Sequence, residues 1–125
     1  MKFCTVINCM DGRVQLPVIR YLQKRFQVDY VDSVTEPGPN LIVSEQKPEG
    51  SLRSIENRLK ISLENHHSLG VAIAGHDGCA GNPASEDQQK DQIKKAIRVL
   101  QKKVGKVDVI GLWIDNNFNV QEVNP

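Results

Sequence analysis

Short apolar runs alternate with amphipathic segments along this chain, and the alternation restricts the fold more than any other feature. Runs at residues 3–8, 28–34, 71–74 and 107–113 are rich in β-branched residues and are typical of strands. A last short strand is predicted at 119–123, after a turn at Asn116 and Asn117. The pattern predicts a three-layer, doubly wound α/β fold with a mostly parallel sheet.

Three helices are predicted between the strands. The first reaches about Arg25, and the second begins at Ser51 as its N-cap. The third is introduced by Pro83 and Ser85 and ends at Gly105. The remaining stretch, residues 41–50, shows no clear period and is interpreted as a surface loop. One domain, 1–125, is expected.

Composition excludes several classes of protein. Lys plus Arg number 16 and Asp plus Glu 15, so the net charge is only +1, which argues against nucleic-acid and membrane-surface binding. No apolar run approaches the roughly 18 residues of a membrane span. The start leads straight into a strand without a signal-peptide pattern, so a cytoplasmic protein is expected. In that reducing compartment, an odd count of three cysteines favours metal binding or catalysis over disulfides.

Two clusters of reactive residues each follow a predicted strand. The first is Cys-Met-Asp-Gly-Arg at 9–13, and the second is His-Asp-Gly-Cys at 76–79. With a strand order of 2-1-3-4 and a C-terminal antiparallel edge strand, both clusters lie at the carboxyl edge where the strand order reverses. Cys9, His76 and Cys79 then offer two thiolates and an imidazole, which leave one open position on a tetrahedral zinc ion.

Asp11 allows two states of such a site. Its carboxylate can bind the metal and close the fourth position. Alternatively, Arg13 holds Asp11 in a bidentate pair, and water takes the open position with a pKa lowered to roughly 7. The sequence leaves both states open.

These residues resemble the β-class carbonic anhydrases. That family carries Cys-x-Asp-x-Arg after its first core strand and Gly-His-x-x-Cys after its third, as at Cys9 and His76 here. Pro37-Gly38 looks like the family's turn after the second strand, and the segment from Gly111 to the last strand is similar to its closing part. The resemblance covers most of the chain.

The resemblance implies a function and a set of site residues. Zinc would be held by Cys9, His76 and Cys79, with Asp11 as the residue that opens or closes the fourth position. Asp11 and Arg13 would form the catalytic dyad. Zinc-bound hydroxide would attack carbon dioxide to give bicarbonate, in a homodimer or a higher homo-oligomer.

Three alternatives remain open from the residues. The first is a zinc site that serves another small substrate such as carbon disulfide, and the second is a non-catalytic zinc domain in which Asp11 closes the site permanently. A thiol enzyme with Cys9 as nucleophile is the third, although its loop lacks the phosphate cradle of cysteine phosphatases. Cys4 is interpreted as a core residue, Asp77 as a solvated loop or helix-cap residue, and His66 and His67 as surface residues at a helix end.

Overall fold

The computed structural model describes residues 1–125. A 3₁₀ turn, Gly12–Val14, joins the first strand to the first helix. The strands and helices follow in the order β1 Phe3–Cys9, α1 Gln15–Arg25, β2 Tyr30–Glu36, α2 Pro39–Glu45, α3 Glu49–Asn65, β3 Gly70–His76, α4 Glu86–Val104, β4 Asp108–Ile114 and β5 Val120–Val123.

The strands form one five-stranded sheet in the order β2-β1-β3-β4-β5. Strands β2, β1, β3 and β4 are parallel, and β5 pairs antiparallel with β4 at the edge. The predicted order 2-1-3-4 with a C-terminal antiparallel edge strand is confirmed. Strand β3 is buried along its whole length, as expected for a central strand covered on both faces.

Helices cover both faces of the sheet and complete the three predicted layers. On one face, Val18 and Leu22 of α1 pack on Cys4 and Val6 of β1. On the other face, α2, α3 and α4 pack together on the sheet; their fully buried core residues include Val43, Ile55, Ile93 and Leu100. No helix is both long and apolar enough to cross a membrane.

The prediction of a surface loop at 41–50 is wrong, because this stretch holds α2 and the start of α3. Helix α2 has only seven residues, too few for a helical period to be visible in the sequence. Gly38, with φ of 59°, turns the chain into it, and Pro39 occupies its first turn. Helix α3 begins at Glu49 rather than after Ser51, with Pro48 as its N-cap.

The predicted start of the third helix is confirmed. Ser85 is the N-cap of α4, and its Oγ accepts a hydrogen bond of 3.2 Å from the Gln88 backbone N–H. The Gln88 side chain accepts one of 3.0 Å from the Ser85 backbone N–H in return. This capping box fixes where α4 begins, directly after the loop that contains the second reactive cluster.

Candidate metal centre

Strands β1 and β3 are neighbours, and their ends bring the two reactive clusters together. Cys9 is the last residue of β1, and His76 is the last residue of β3. Cys79 follows His76 through a tight turn in which Gly78 has a φ of 67°, a conformation that glycine adopts without strain. The clusters therefore meet at the carboxyl edge of the sheet.

Three side chains present their ligand atoms to one point. The sulfurs of Cys9 and Cys79 and a ring nitrogen of His76 all lie within 4.8 Å of one another, and all three residues are buried. The two sulfurs are 3.8 Å apart. Tetrahedral zinc with Zn–S bonds of about 2.3 Å requires two sulfurs about 3.8 Å apart. The spacing therefore fits zinc without rearrangement of the thiols.

The imidazole of His76 is fixed in the tautomer that a metal needs. Its Nδ1 lies 2.8 Å from the backbone carbonyl of Asp77, and a carbonyl can only accept, so Nδ1 carries the proton. In the neutral ring, Nε2 then has a free lone pair. Nε2 is buried and has no hydrogen-bond partner in the protein, which is rare for a buried polar atom. A metal ion would supply the missing partner of Nε2. A bound metal at one ring nitrogen and a donated hydrogen bond at the other is the usual arrangement of metal-binding histidines.

A bound cation would offset the surroundings of the Cys79 thiol, which disfavour its thiolate form. Burial, and then the neighbouring Cys9, raise the pKa of the Cys79 thiol, whereas backbone hydrogen bonds from Gly81 and Asn82 lower it. The Cys79 thiol therefore resists ionisation by itself. A coordinated divalent metal deprotonates such thiols outright. The donor set of two cysteines and one histidine is one that zinc uses in catalytic sites.

Asp11 and Arg13, which follow Cys9 in the chain, form an ion pair. The carboxylate oxygen Oδ2 of Asp11 accepts a hydrogen bond of 2.6 Å from Nη2 of Arg13, and Oδ1 accepts from Nε and from the backbone N–H. These hydrogen bonds hold the pKa of Asp11 well below its ordinary value. Asp11 therefore stays ionised at neutral pH. A role for it as a fourth metal ligand stays a prediction.

Gln15 supports the loop that carries this pair, a role that its place in the sequence does not indicate. Its side-chain Nε2 donates hydrogen bonds of 2.7 Å to the Cys9 carbonyl and 2.8 Å to the Asp11 carbonyl. The amide joins the last residue of β1 to Asp11, the N-cap of the 3₁₀ turn. No pattern marks it, because a glutamine in the first turn of a helix is ordinary.

The turn after β2 packs against the loop that follows Cys79. A Cβ on Gly38 would lie 2.8 Å from the Gly81 carbonyl oxygen, and one on Gly81 would lie 2.7 Å from the backbone of Pro37. Two glycines are therefore needed where the two loops touch. The Pro37-Gly38 turn contributes shape to the site, and no reactive group.

Other candidate residues lie apart from the three ligand atoms. Cys4 is fully buried in the core as predicted, and burial raises the pKa of its thiol to about 12. The side chain of Asp77 is exposed, and only its backbone carbonyl contacts His76. His66 is exposed and bonds to Asp32 of β2, at a distance of 2.6 Å.

Two solved fungal enzymes are similar to this chain in fold. One belongs to a pair of tetrameric β-carbonic anhydrases from the ascomycete Sordaria macrospora. It has a TM-score of 0.63 at 11% identity, over 99% of this chain and 81% of that one. A β-carbonic anhydrase of Aspergillus fumigatus has a TM-score of 0.56 at 12% identity, over 98% and 75% of the two chains.

The sequence itself matches a known family over almost its full extent. Among curated proteins, no match is found. A family model described as "Putative carbonic anhydrase" matches residues 1–124. This match confirms the resemblance inferred from the two clusters, and the fold of the fungal enzymes agrees with it. The chain therefore belongs to this carbonic anhydrase family.

Proposed function

We propose that this protein is a zinc-dependent carbonic anhydrase that interconverts carbon dioxide and bicarbonate. Cys9, His76 and Cys79 would hold the metal. One observation carries the proposal: two buried sulfurs 3.8 Å apart converge with a buried imidazole Nε2 that has no partner in the protein. Membership of a carbonic anhydrase family supports the choice of reaction.

Zinc, when bound, would lower the pKa of a water molecule to about 7 and supply a nucleophile at neutral pH. Asp11 and Arg13 would then orient this nucleophile. Asp11 is held ionised, so it can accept a hydrogen bond from the nucleophile and orient it. Arg13 fixes the carboxylate from two directions, through its side chain and its backbone N–H, and so limits its rotation.

The contacts of Asp11 support an open rather than a closed fourth position. Both of its carboxylate oxygens accept hydrogen bonds from Arg13. A carboxylate that moved onto the metal would have to give up part of this pairing. The burial of Cys9, which is 4% exposed, disfavours the alternative of a thiol nucleophile.

We expect the zinc-loaded protein to hydrate carbon dioxide faster than buffer alone in a stopped-flow assay. The rate should rise with pH between about 6 and 9, as the nucleophilic water ionises. Zinc-free protein is the control. A protein that binds zinc yet gives no rate above background would contradict the carbonic anhydrase proposal. Carbon disulfide hydrolysis, followed in the same preparations, would then test the alternative substrate.

We also propose that the chain forms a homo-oligomer. The Sordaria macrospora enzymes are described as tetrameric. Met10 and Leu16, on either side of the Asp11–Arg13 pair in sequence, are 62% and 58% exposed, and apolar side chains of this kind are typical of interface cores. Sedimentation equilibrium should give a mass of at least two chains. A mass of 14.0 kDa at all concentrations would contradict the proposal.

A further inference from the structure

Four amide side chains form a connected network directly behind the segment 76–82, which carries His76 and Cys79 and is called the metal loop below. Gln89 of α4 lies at its centre and is 1% exposed. Its Nε2 lies 3.0 Å from the His76 carbonyl oxygen and 3.2 Å from the Asn82 carbonyl oxygen. Its Oε1 accepts a hydrogen bond of 3.2 Å from Asn40 of α2. Gln92 accepts hydrogen bonds from Asn40 and, at 2.7 Å, from Asn82.

Gln89 occupies a position where an apolar residue would be expected. Along α4 the buried positions after it are Ile93, Ala96, Ile97 and Leu100, so Gln89 continues the same inward-facing stripe toward the carboxyl edge of the sheet. A buried amide is costly unless it is hydrogen-bonded. A leucine or methionine would fill a comparable volume at lower cost, so packing alone does not account for a glutamine here.

A glycine in β3 leaves the space that the network occupies. A Cβ on Gly75, the residue before His76, would lie 2.8 Å from Nδ2 of Asn40 and 2.8 Å from Oε1 of Gln89. The two amides therefore lie directly against the backbone of β3. The absence of a side chain at Gly75 permits this contact, which is made one residue before a candidate metal ligand.

Gln89 Nε2 lies within hydrogen-bonding distance of three carbonyls, of which the Ala84 carbonyl, at 3.3 Å, is the most distant; the other two belong to the two arms of the metal loop. One is the carbonyl of His76 itself. The other is that of Asn82, whose backbone N–H donates a hydrogen bond of 3.3 Å to the Cys79 carbonyl. A single side chain thus connects the strand end that carries His76 to the segment that supports Cys79.

We propose that Gln89 is a positioning residue for the metal centre, which holds the His76 and Cys79 arms at the separation that zinc requires. Asn40 and Gln92 orient it. The inference rests on the proposed function, because it requires that Cys9, His76 and Cys79 bind zinc. Outer residues that orient metal ligands typically change metal affinity by about 10- to 100-fold when they are replaced.

The test replaces the amide by a side chain of similar shape. In Gln89→Met, we expect zinc affinity, measured by competition with a chelator, to fall about 10- to 100-fold. The visible spectrum of the cobalt(II)-substituted protein should also change, because its bands report the geometry of the ligands and not the stability of the fold. Gln92→Met is a milder variant at a half-buried position, and we expect a smaller loss in the same direction even if Gln89→Met folds poorly.

Gln101→Met is the matched control. Gln101 lies on the same helix and also donates from Nε2 to two backbone carbonyls, at 3.0 Å to Gly105 and 2.9 Å to Val107, at the opposite end of α4. The Gln101→Met variant should leave the zinc affinity and the spectrum of the cobalt(II)-substituted protein unchanged. Wild-type values in both Gln89→Met and Gln92→Met, or an equal loss in Gln101→Met, would overturn the inference and leave the proposed function standing. Failure of the wild-type protein to bind zinc would instead overturn the proposed function.

Discussion

Replacing Cys9 by serine is expected to remove zinc from the protein. A serine hydroxyl is a poor substitute for a thiolate as a zinc ligand, and the remaining Cys79 and His76 provide only two donors. Metal analysis of the purified wild-type chain should give about one zinc per chain, and Cys9→Ser should give close to none. Because structural and catalytic zinc sites both depend on their thiolates, this result is expected whether or not the protein is an active enzyme.

Cys4→Ala is the matched control for this loss. Cys4 lies in the same strand as Cys9, but its side chain is buried in the core under α1 and away from the ligand cluster. The variant should keep its zinc, although the small cavity left by the sulfur will lower the stability of the fold. Full zinc content in Cys9→Ser, or loss of zinc in Cys4→Ala, would contradict the assignment of the metal ligands.

The parts of the fold that the sequence predicted are those set by strong local patterns. The apolar runs of β1 and β3 are followed at once by Cys9 and by the His76 cluster, so each candidate ligand was already placed at a strand end. Parallel strands joined by helices allow few arrangements. The strand order 2-1-3-4 could therefore be predicted from the sequence. The convergence of the two clusters at one edge of the sheet follows from that order.

The missed parts depend on contacts between distant segments. Helix α2 is too short to show a period, and it is held by its buried residues, among them Asn40 and Val43. The partners of Asn40 are Gln89 and Gln92, which lie 49 and 52 positions further along the chain. Nothing near Gln89 in sequence indicates that its amide is buried, because glutamine is common on the wet face of a helix. Only the packing of α4 against the metal loop gives it a role.

Replacing Asp11 by asparagine is expected to lower kcat for carbon dioxide hydration by at least about 100-fold, the loss typical when one preorganised hydrogen-bonding group is removed from the reacting centre. Asparagine keeps the shape of the side chain but loses the negative charge that Arg13 stabilises. If Asp11 is not a metal ligand, the zinc content and zinc affinity of Asp11→Asn should equal those of the wild type. A clear loss of zinc affinity would instead support the closed state, in which Asp11 occupies the fourth position.

Arg13→Ala should reduce kcat in the same direction as Asp11→Asn, because it removes the guanidinium that fixes the carboxylate. Without its hydrogen bonds to the Arg13 side chain, the pKa of Asp11 should rise toward its ordinary value, but not into the neutral range. Asp11 would therefore remain ionised at neutral pH in this variant. The loss of activity should come from poor orientation, so the ratio of the variant's kcat to the wild-type kcat should stay constant between about pH 7 and 9.

The Arg25–Glu122 pair offers a matched control, since it is another arginine–carboxylate contact, at 2.8 Å, in the same protein. Arg25→Ala removes a partly exposed ion pair that is worth little to stability, and it should leave kcat at the wild-type value. The three variants together separate a catalytic dyad from a simple loop ion pair. Wild-type kcat in Asp11→Asn, or an equal loss in Arg25→Ala and Arg13→Ala, would show that Asp11 and Arg13 do not form the catalytic dyad.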